Sequence, residues 1–282
     1  MNTKTAFLFP GQGSQSVGMV AEMAEAYPVV RQTFEEASGV LGYDLWEVVE
    51  NDPAETLGRT EVTQPALLAA GIATWRAWKS LQGADPDFVA GHSLGEYTAL
   101  VAADALAFGD AISLVAQRGR LMQQATPAGT GAMAAILGLE DAALAEVCEQ
   151  AAQGQVVSCA NFNSPGQVVI AGHTPAVERA IELAKANGAR RALILPVSAP
   201  VHSSLMREAG ESLLETLDRE IRILGETING DVLQAVAMAL AARARMIHAP
   251  AAQTADLARD LLADALRGAA AAKADGGLTG HG

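Results

Sequence analysis

Short apolar runs alternate with amphipathic repeats along the first part of the chain, and most runs end at Gly- or Pro-rich turns. Such bounded runs are typical of buried strands, whereas apolar positions that recur every three to four residues indicate helices. Thr5–Pro10 is predicted to be a buried strand, and residues 87–106 a strand, a sharp turn and a helix. Helices are predicted up to about Val49, over Gln64–Ser80 and over Phe108–Gln124. This alternation predicts an α/β domain with a mainly parallel sheet.

A second pattern begins after the turn-rich break at residues 126–131. The elements predicted there follow the order strand, helix, strand, strand, helix, strand, which is that of a ferredoxin-like unit. Their bounds are Ala132–Leu137, Asp141–Ala152, Val156–Ala160, Gln167–Ala171, Thr174–Asn187 and Arg191–Val197. Thr174 is the expected N-cap of the second helix, with Pro175 at its first position and Gly188 as its stop. We expect this unit to be inserted into the larger α/β domain.

The last third of the chain has no aromatic side chains and becomes rich in alanine. No Phe, Trp or Tyr follows Phe162, and residues 235–274 contain 18 alanines. Alanine faces bury little area each, so the helices predicted in this part bring little apolar surface. These helices are predicted at 208–220, 231–245 and 253–267. The predicted domains are 1–127 with 198–268 for the large α/β subdomain, 128–197 for the small subdomain, and 269–282 for a disordered tail.

Composition and charge exclude several classes of function. Of the 282 residues, 50% are hydrophobic and 18% charged, which suits a well-filled globular core, and the net charge of −13 argues against nucleic acid as a partner. No apolar run reaches the ~20 residues of a membrane span, and the first residues lack the apolar region of a signal peptide. Candidates for the basic patch that an acidic partner would need are Arg76, Lys79, Arg190 and Arg191. Solvated surface charges are the alternative. With Cys148 and Cys159 predicted to be reduced core thiols, the chain is expected to be cytosolic.

The strongest candidate for chemistry is the segment Gly91-x-Ser93-x-Gly95. It follows a short apolar strand and precedes a helix, and a strand that turns this sharply needs small residues at both glycine positions. The turn would present the Ser93 hydroxyl at the helix N-terminus, where the backbone N–H of Leu94 and the helix dipole can stabilise an oxyanion. A purely structural turn is the alternative to this nucleophile.

A serine nucleophile needs a base, and five histidines are available. His202 follows the last predicted strand and its loop, just before a helix, and strand ends are where α/β sheets place chemistry. We therefore predict that His202 is the base, with a structural histidine as the alternative. No carboxylate is an obvious third member of a triad, but a backbone carbonyl can orient an imidazole instead.

Two further features are weaker on their own. The turn Gly11–Gln15 follows the first predicted strand, so the Gln12 backbone N–H could be a second oxyanion donor, with an ordinary tight turn as the alternative. Arg118 lies on an otherwise apolar helix, where a guanidinium facing a pocket offers two parallel N–H bonds to a carboxylate. A surface arginine that extends into solvent is the alternative there.

Together these residues resemble the malonyl-CoA:acyl-carrier-protein transacylases. Residues 5–206 carry the resemblance, and the family's motifs are matched in order by Phe9–Gln15, Thr63–Ala66, Gly91–Glu96, Gln117–Gly119, Gly129–Met133, Pro165–Ile170 and Pro196–Ser203. The resemblance implies an α/β-hydrolase-like large subdomain with an inserted ferredoxin-like small subdomain. It also implies malonyl transfer from coenzyme A to acyl carrier protein through a malonyl-serine, for fatty-acid or polyketide synthesis, by a monomer that needs no metal or cofactor.

The same resemblance implies the role of each site residue. It makes Ser93 the nucleophile, His202 the general base, Gln12 and Leu94 the oxyanion hole, Arg118 the partner of the malonyl carboxylate, Gln64, His92 and Asn163 pocket-lining residues, and Arg191 a contact for the coenzyme A or carrier end.

The sequence departs from the family after Met206, where the usual apolar strand, Arg-Gln-Leu segment and Glu-Val-Gly-Pro-Gly turn are missing. Either this part is divergent, or a deletion or frame change has left a compromised protein. Two other functions stay open. One is a thioester hydrolase that uses the same elbow, in which water resolves the acyl-serine. The other is a non-catalytic carrier-binding or scaffold protein, inactive because its C-terminal part is altered. Methylmalonyl also stays open as a substrate, because Val201 replaces the residue often found before the family's histidine.

Overall fold

The computed structural model describes residues 5–127, 129–195, 197 and 199–213. Residues 207–213 are helical, whereas the rest of the helix predicted at 208–220, the helices predicted at 231–245 and 253–267 and the tail predicted at 269–282 lie outside the described residues. The chain divides into two compact units, residues 1–123 and 124–282. The discontinuous large subdomain of the sequence analysis stays a prediction.

The first unit alternates helices with two parallel strands. Its elements are β1 (Ala6–Phe9), α1 (Ala21–Ala26), α2 (Pro28–Leu41), α3 (Leu45–Glu50), α4 (Thr60–Ser80), β2 (Phe88–Gly91), α5 (Gly95–Ala102) and α6 (Phe108–Gln124). β1 pairs with β2 in parallel, from Ala6 opposite Phe88 to Phe9 opposite Gly91. Both strands therefore run toward the same edge, where the loops that follow them meet. The α/β class predicted from the sequence is confirmed.

The core of the first unit is helical. α2 packs against both α3 and α4, and Phe34, Leu45 and Leu68 of these helices are completely buried. The strands are far more open, because Leu8 is 77% and Phe88 51% exposed, while Phe9 is buried. The prediction that Thr5–Pro10 forms a buried strand is thus right about the strand and wrong about its burial. An apolar run shows that a strand is suited to a core, not that both its faces are covered.

The second unit has the predicted order of elements. They are β3 (Gly131–Leu137), α7 (Asp141–Ala152), β4 (Val157–Ser164), β5 (Gln167–His173), α8 (Thr174–Ala186), β6 (Arg191–Ile194) and a short 3₁₀ helix (Ser204–Met206). The sheet is antiparallel, in the order β4-β5-β3-β6. One face of it packs against α7 and α8, where Ile136, Val168 and Ile170 meet Leu144 and Val177.

Three details of the second unit differ from the sequence analysis. β4 continues to Ser164, whereas the strand predicted there ends at Ala160. β6 ends at Ile194 rather than Val197, two residues before a proline that has no N–H for a ladder. Thr174 is not an N-cap, since it is the first residue of α8 and follows His173 at the cap position. Its hydroxyl donates to the Gly129 carbonyl at 3.0 Å instead of accepting a helix N–H. The backbone N–H of Thr174 also bonds to Thr130, so this threonine ties the helix to the loop before β3.

Candidate active site

The turn between β2 and α5 has the geometry of a nucleophile elbow. Ser93 lies at its apex with φ of 54°, in the left-handed region that L residues rarely adopt. A Cβ at Gly91 would lie 1.9 Å from the Gly95 carbonyl group, and a Cβ at Gly95 would lie 2.1 Å from the carbonyl oxygen of Phe9. Neither glycine has room for a side chain, so the reason for expecting small residues there is confirmed.

The elbow and the loop after β1 lie side by side, as expected for neighbouring parallel strands. The backbone N–H of His92 donates to the Phe9 carbonyl at 3.0 Å, and a Cβ at Gly11 would lie 2.6 Å from the carbonyl oxygen of His92. His92 therefore packs its backbone and ring against the first loop. This contact places Gln12 next to the elbow that carries Leu94.

Two backbone donors are available at this junction. Leu94 is completely buried at the cap position of α5, and Gln12 is anchored through its side chain, whose Nε2 donates to Thr60 Oγ1 at 3.2 Å. In the described part of the chain, neither the Gln12 nor the Leu94 backbone N–H donates to another residue. Two such N–H groups beside a serine hydroxyl are what an oxyanion needs.

Arg118 reaches the nucleophile. Its Nη2 donates to Ser93 Oγ at 3.1 Å, and its Nη1 donates to Gln64 Oε1 at 2.7 Å. Gln64 is completely buried and its Nε2 contacts Met122 Sδ at 3.3 Å, so the amide oxygen is directed at the guanidinium. Among the described residues no carboxylate forms an ion pair with Arg118. The side chain is therefore a partly buried cation held beside Ser93, and the solvent-extended alternative is wrong.

Sequence reasoning missed one aromatic neighbour of this cation. The Tyr97 ring is almost fully buried, and its centroid lies 5.5 Å from the Arg118 guanidinium carbon. Tyr97 lies in the first turn of α5, directly after the elbow that carries Ser93. That closeness in sequence was a usable signal. The anchoring of Gln12 by Thr60 had no such signal, because it joins a loop to a helix 48 residues away.

The second unit fixes the loop that carries His202. The backbone of His202 has φ of 61°, also in the left-handed region. Ser203 is buried and its hydroxyl donates to the Pro200 carbonyl at 2.6 Å. The Pro200 ring lies against Gly131, where a Cβ would come within 2.4 Å of it. The imidazole is thus presented by a loop with a defined backbone.

Asn163 and Arg191 lie on the two opposite edge strands of the same sheet, both near the end at which β3 finishes. Arg191 pairs with Leu137 at the end of β3, whereas Pro200 lies against Gly131 at its start. These two positions on β3 are six residues or about 20 Å apart. Asn163 is exposed beside the turn from β4 to β5, and this turn lies at the same end of the sheet as Leu137. Within this unit both residues lie at the end of the sheet away from the His202 loop, but two strands separate them, and their predicted roles stay predictions.

Two members of the candidate basic patch are already neutralised. Arg76 Nη1 lies 2.7 Å from Glu36 Oε2, and Lys79 forms an ion pair with Asp85. These ion pairs favour the interpretation of Arg76 and Lys79 as ordinary surface charges over their role in a basic patch. In the parts of the chain that the structure describes, no helix is long and apolar enough to cross a membrane. The same residues include no cluster of three His, Cys, Asp or Glu side chains that could hold a metal ion.

Comparisons with known proteins agree with this geometry. A family model described as "Acyl transferase domain" matches residues 6–261. The malonyl CoA-acyl carrier protein transacylase of Salmonella typhimurium is 60% identical over 211 residues, which are 75% of this chain and 68% of that protein. The crystal structure of an acyl carrier protein S-malonyltransferase from Vibrio cholerae shares 61% identity at a TM-score of 0.75, covering 77% of this chain and 71% of the other.

A second solved structure shows a type II PKS acyl-carrier protein in complex with its malonyl-transacylase. It shares 56% identity with this chain at a TM-score of 0.76, and the match covers 77% of this chain and 70% of the other. Family match, sequence identity and fold all lead to the same assignment. The chain belongs to the malonyl CoA-acyl carrier protein transacylases of the acyl transferase domain family.

Proposed function

We propose that this enzyme transfers a malonyl group from coenzyme A to the phosphopantetheine thiol of an acyl carrier protein through a malonyl-serine. The observation that carries the proposal is the guanidinium of Arg118 bonded to the hydroxyl of Ser93, at 3.1 Å. A nucleophile with a fixed cation beside it is suited to an acyl group that ends in a carboxylate. The relatives' names and the carrier complex of one relative support the same substrates.

In the first half-reaction, Ser93 Oγ attacks the carbonyl carbon of the malonyl thioester while His202 takes the hydroxyl proton. The carbonyl oxygen becomes an oxyanion, and the backbone N–H groups of Gln12 and Leu94 are proposed to bind it. The intermediate collapses by breaking the C–S bond, and His202 returns the proton to the departing thiolate. Free coenzyme A leaves and malonyl-Ser93 remains.

The second half-reaction repeats these steps in reverse. His202 takes the proton of the phosphopantetheine thiol, whose sulfur attacks the ester carbonyl of malonyl-Ser93. The same two N–H groups bind the new oxyanion. Collapse breaks the C–O bond to Ser93, and His202 returns its proton to the serine. The carrier leaves as a malonyl thioester, and the scheme needs neither a metal nor a cofactor.

Arg118 gives this scheme its selectivity. A carboxylate is a stronger acceptor for a guanidinium than a hydroxyl is, so a bound malonyl carboxylate would take over the Nη2 donor. That exchange would release the Ser93 hydroxyl for attack. An acetyl group has no carboxylate, so the cation would stay on Ser93 and lack an anionic partner in a partly buried site. Malonyl thioesters are therefore expected to react much faster than acetyl thioesters. Methylmalonyl keeps the carboxylate and stays open as a substrate.

Intact-mass measurement after mixing with malonyl-CoA tests the proposal. We expect the chain to gain one malonyl group, and Ser93→Ala to gain none. Ser113→Ala is the matched control, because Ser113 is an exposed serine on α6. Adding holo acyl carrier protein should remove the adduct and add one malonyl group to the carrier.

The alternative functions give different results in the same experiment. A thioester hydrolase would lose the adduct without any carrier and release free malonate. A carrier-binding protein without activity would bind the carrier and form no adduct. Either result would reject the proposal. A cytosolic location and a monomeric state are further proposals, the latter testable by sedimentation of the free enzyme.

A further inference from the structure

The second unit contains two cysteines that the proposed reaction does not use. Cys148 lies on α7 and Cys159 on β4, and both are free thiols. α7 packs directly on β4, and Cys159 packs against the apolar cluster that contains Cys148. Cys148 is only 3% exposed, whereas Cys159 is partly exposed. One thiol is thus hidden in the core and the other can meet a small solute.

The two side chains affect each other's ionisation. The hydrogen bond with Cys148 lowers the pKa of Cys159, and this effect outweighs both burial and the nearby charge of Asp141, which raise it. The same hydrogen bond, with burial and Glu149, raises the pKa of Cys148. Cys159 is therefore the more acidic thiol of the pair. A reactive thiolate beside a protonated thiol is the arrangement that redox-active cysteine pairs use.

We propose that Cys148 and Cys159 form a peroxide-sensitive pair that closes into a disulfide between α7 and β4. The Cys159 thiolate attacks one oxygen of hydrogen peroxide, so that an S–O bond forms, the O–O bond breaks and water leaves after protonation. Cys148 sulfur then attacks the resulting sulfenic acid, the S–S bond forms and a second water leaves with the Cys148 proton. Overall, two thiols lose two electrons and two protons to one peroxide.

The local backbone favours the closure. The pairing of β4 with β5 shifts register between Cys159 and Asn161, so the strand is already irregular at the reacting residue. A bulged strand can adjust more easily than a regular ladder when a disulfide draws Cα atoms within about 7 Å. The bridge would tie α7 to the strand that ends at Asn163 and Ser164.

Peroxide treatment of the full chain tests the pair. After treatment and trapping with iodoacetamide, we expect an intact mass lower by two hydrogen atoms, no alkylation of either cysteine, and a proteolytic fragment that joins Cys148 to Cys159. Dithiothreitol should restore both thiols. If both cysteines are still alkylated after treatment, or if only disulfide-linked dimers form, the proposal is wrong.

Two single variants test the order of events. In Cys148→Ser, peroxide should leave a sulfenic acid on Cys159 that dimedone labels. In Cys159→Ser, Cys148 should stay unlabelled, because it is buried. Equal labelling of the two variants would overturn the assignment of Cys159 as the first thiol to react. Peroxide oxidation of the wild-type chain does not depend on either variant folding, so the disulfide itself stays testable.

Discussion

At the scale of single residues, backbone strain marks the positions proposed for chemistry. Ser93 and His202 have φ of 54° and 61°, and neither is a glycine. A left-handed L residue costs roughly 1–2 kcal/mol, so the surroundings must hold each one in place. At Ser93 the close approach of Gly91 to Gly95 does this. Such strain is common at functional positions.

Two single variants of Ser93 separate the effect of backbone strain from the loss of the hydroxyl. Ser93→Gly and Ser93→Ala both remove the hydroxyl, so neither should form a malonyl adduct. Glycine adopts positive φ without a Cβ clash, and we expect Ser93→Gly to be about 1 kcal/mol more stable than Ser93→Ala. Urea unfolding of the two variants measures the difference. If the alanine variant were the more stable one, the turn would not be strained at this position.

Arg118→Ala should lower malonyl transfer far more than acetyl transfer. Removing the cation takes away the partner of the malonyl carboxylate, and we expect malonyl transfer to fall by about 2 kcal/mol or more, which is on the order of 30-fold. Acetyl transfer never uses that ion pair, and because the variant also releases the Ser93 hydroxyl from the guanidinium, its rate should not fall. Arg120→Ala is the control on the same helix, since Arg120 is exposed. Equal losses of kcat/KM for malonyl-CoA and acetyl-CoA would rule out the carboxylate role.

Gln64→Glu tests how the cation is held. The amide oxygen of Gln64 accepts from Arg118 Nη1 at 2.7 Å, so a glutamate there would place a carboxylate against the guanidinium. That internal ion pair would compete with the substrate. We expect the malonyl-to-acetyl ratio of kcat/KM to fall by about tenfold, the equivalent of 1.4 kcal/mol, while the fold is kept. Gln117→Glu is the control on α6. An unchanged ratio would show that Gln64 does not control the charge beside Ser93.

At the scale of elements, local signals predicted most of the fold. α6 and α7 have the bounds predicted from the sequence, because strong periodicity meets clear turn residues at their ends. The elbow was also predictable, since its strand, glycines and helix are contiguous. The bond between Arg118 and Gln64 was not, because it joins two helices 54 residues apart. Contacts of that kind depend on packing, which no local pattern specifies.

The elbow should tolerate no added methyl group, unlike Gly39 of the same unit. A Cβ at Gly95 would lie 2.1 Å from the Phe9 carbonyl oxygen, so Gly95→Ala must separate α5 from β1. We expect it to destabilise the protein by about 3 kcal/mol or more and to abolish the malonyl adduct. Gly39→Ala in α2 has nothing within 4 Å of the new methyl group and should stabilise the helix by up to about 1 kcal/mol. Thermal unfolding of both variants checks the contrast.

At the scale of the whole molecule, two features depart from a well-covered α/β domain: the exposed parallel strands and the alanine-rich last part of the chain. Parallel sheets are normally covered on both faces, yet Leu8 and Phe88 are 77% and 51% exposed. The family model matches to residue 261, but the chain has no aromatic residue after Phe162 and 18 alanines in residues 235–274. Each alanine buries little area, so this part can contribute less apolar surface than Leu, Val or Phe side chains would.

A chimera tests how much residues 207–282 contribute to stability and to formation of the malonyl adduct. Residues 207–282 would be replaced by the corresponding C-terminal segment of the Salmonella typhimurium relative. Every buried Leu, Ile, Val or Phe gained in place of alanine adds about 1.5–3 kcal/mol, so we expect the chimera to unfold at a higher temperature. Malonyl-Ser93 should also form faster. Replacing only residues 269–282 is the matched control and should change neither of these. Equal stability and equal rates in the chimera would show that the natural segment supports the fold as well as the relative's segment does.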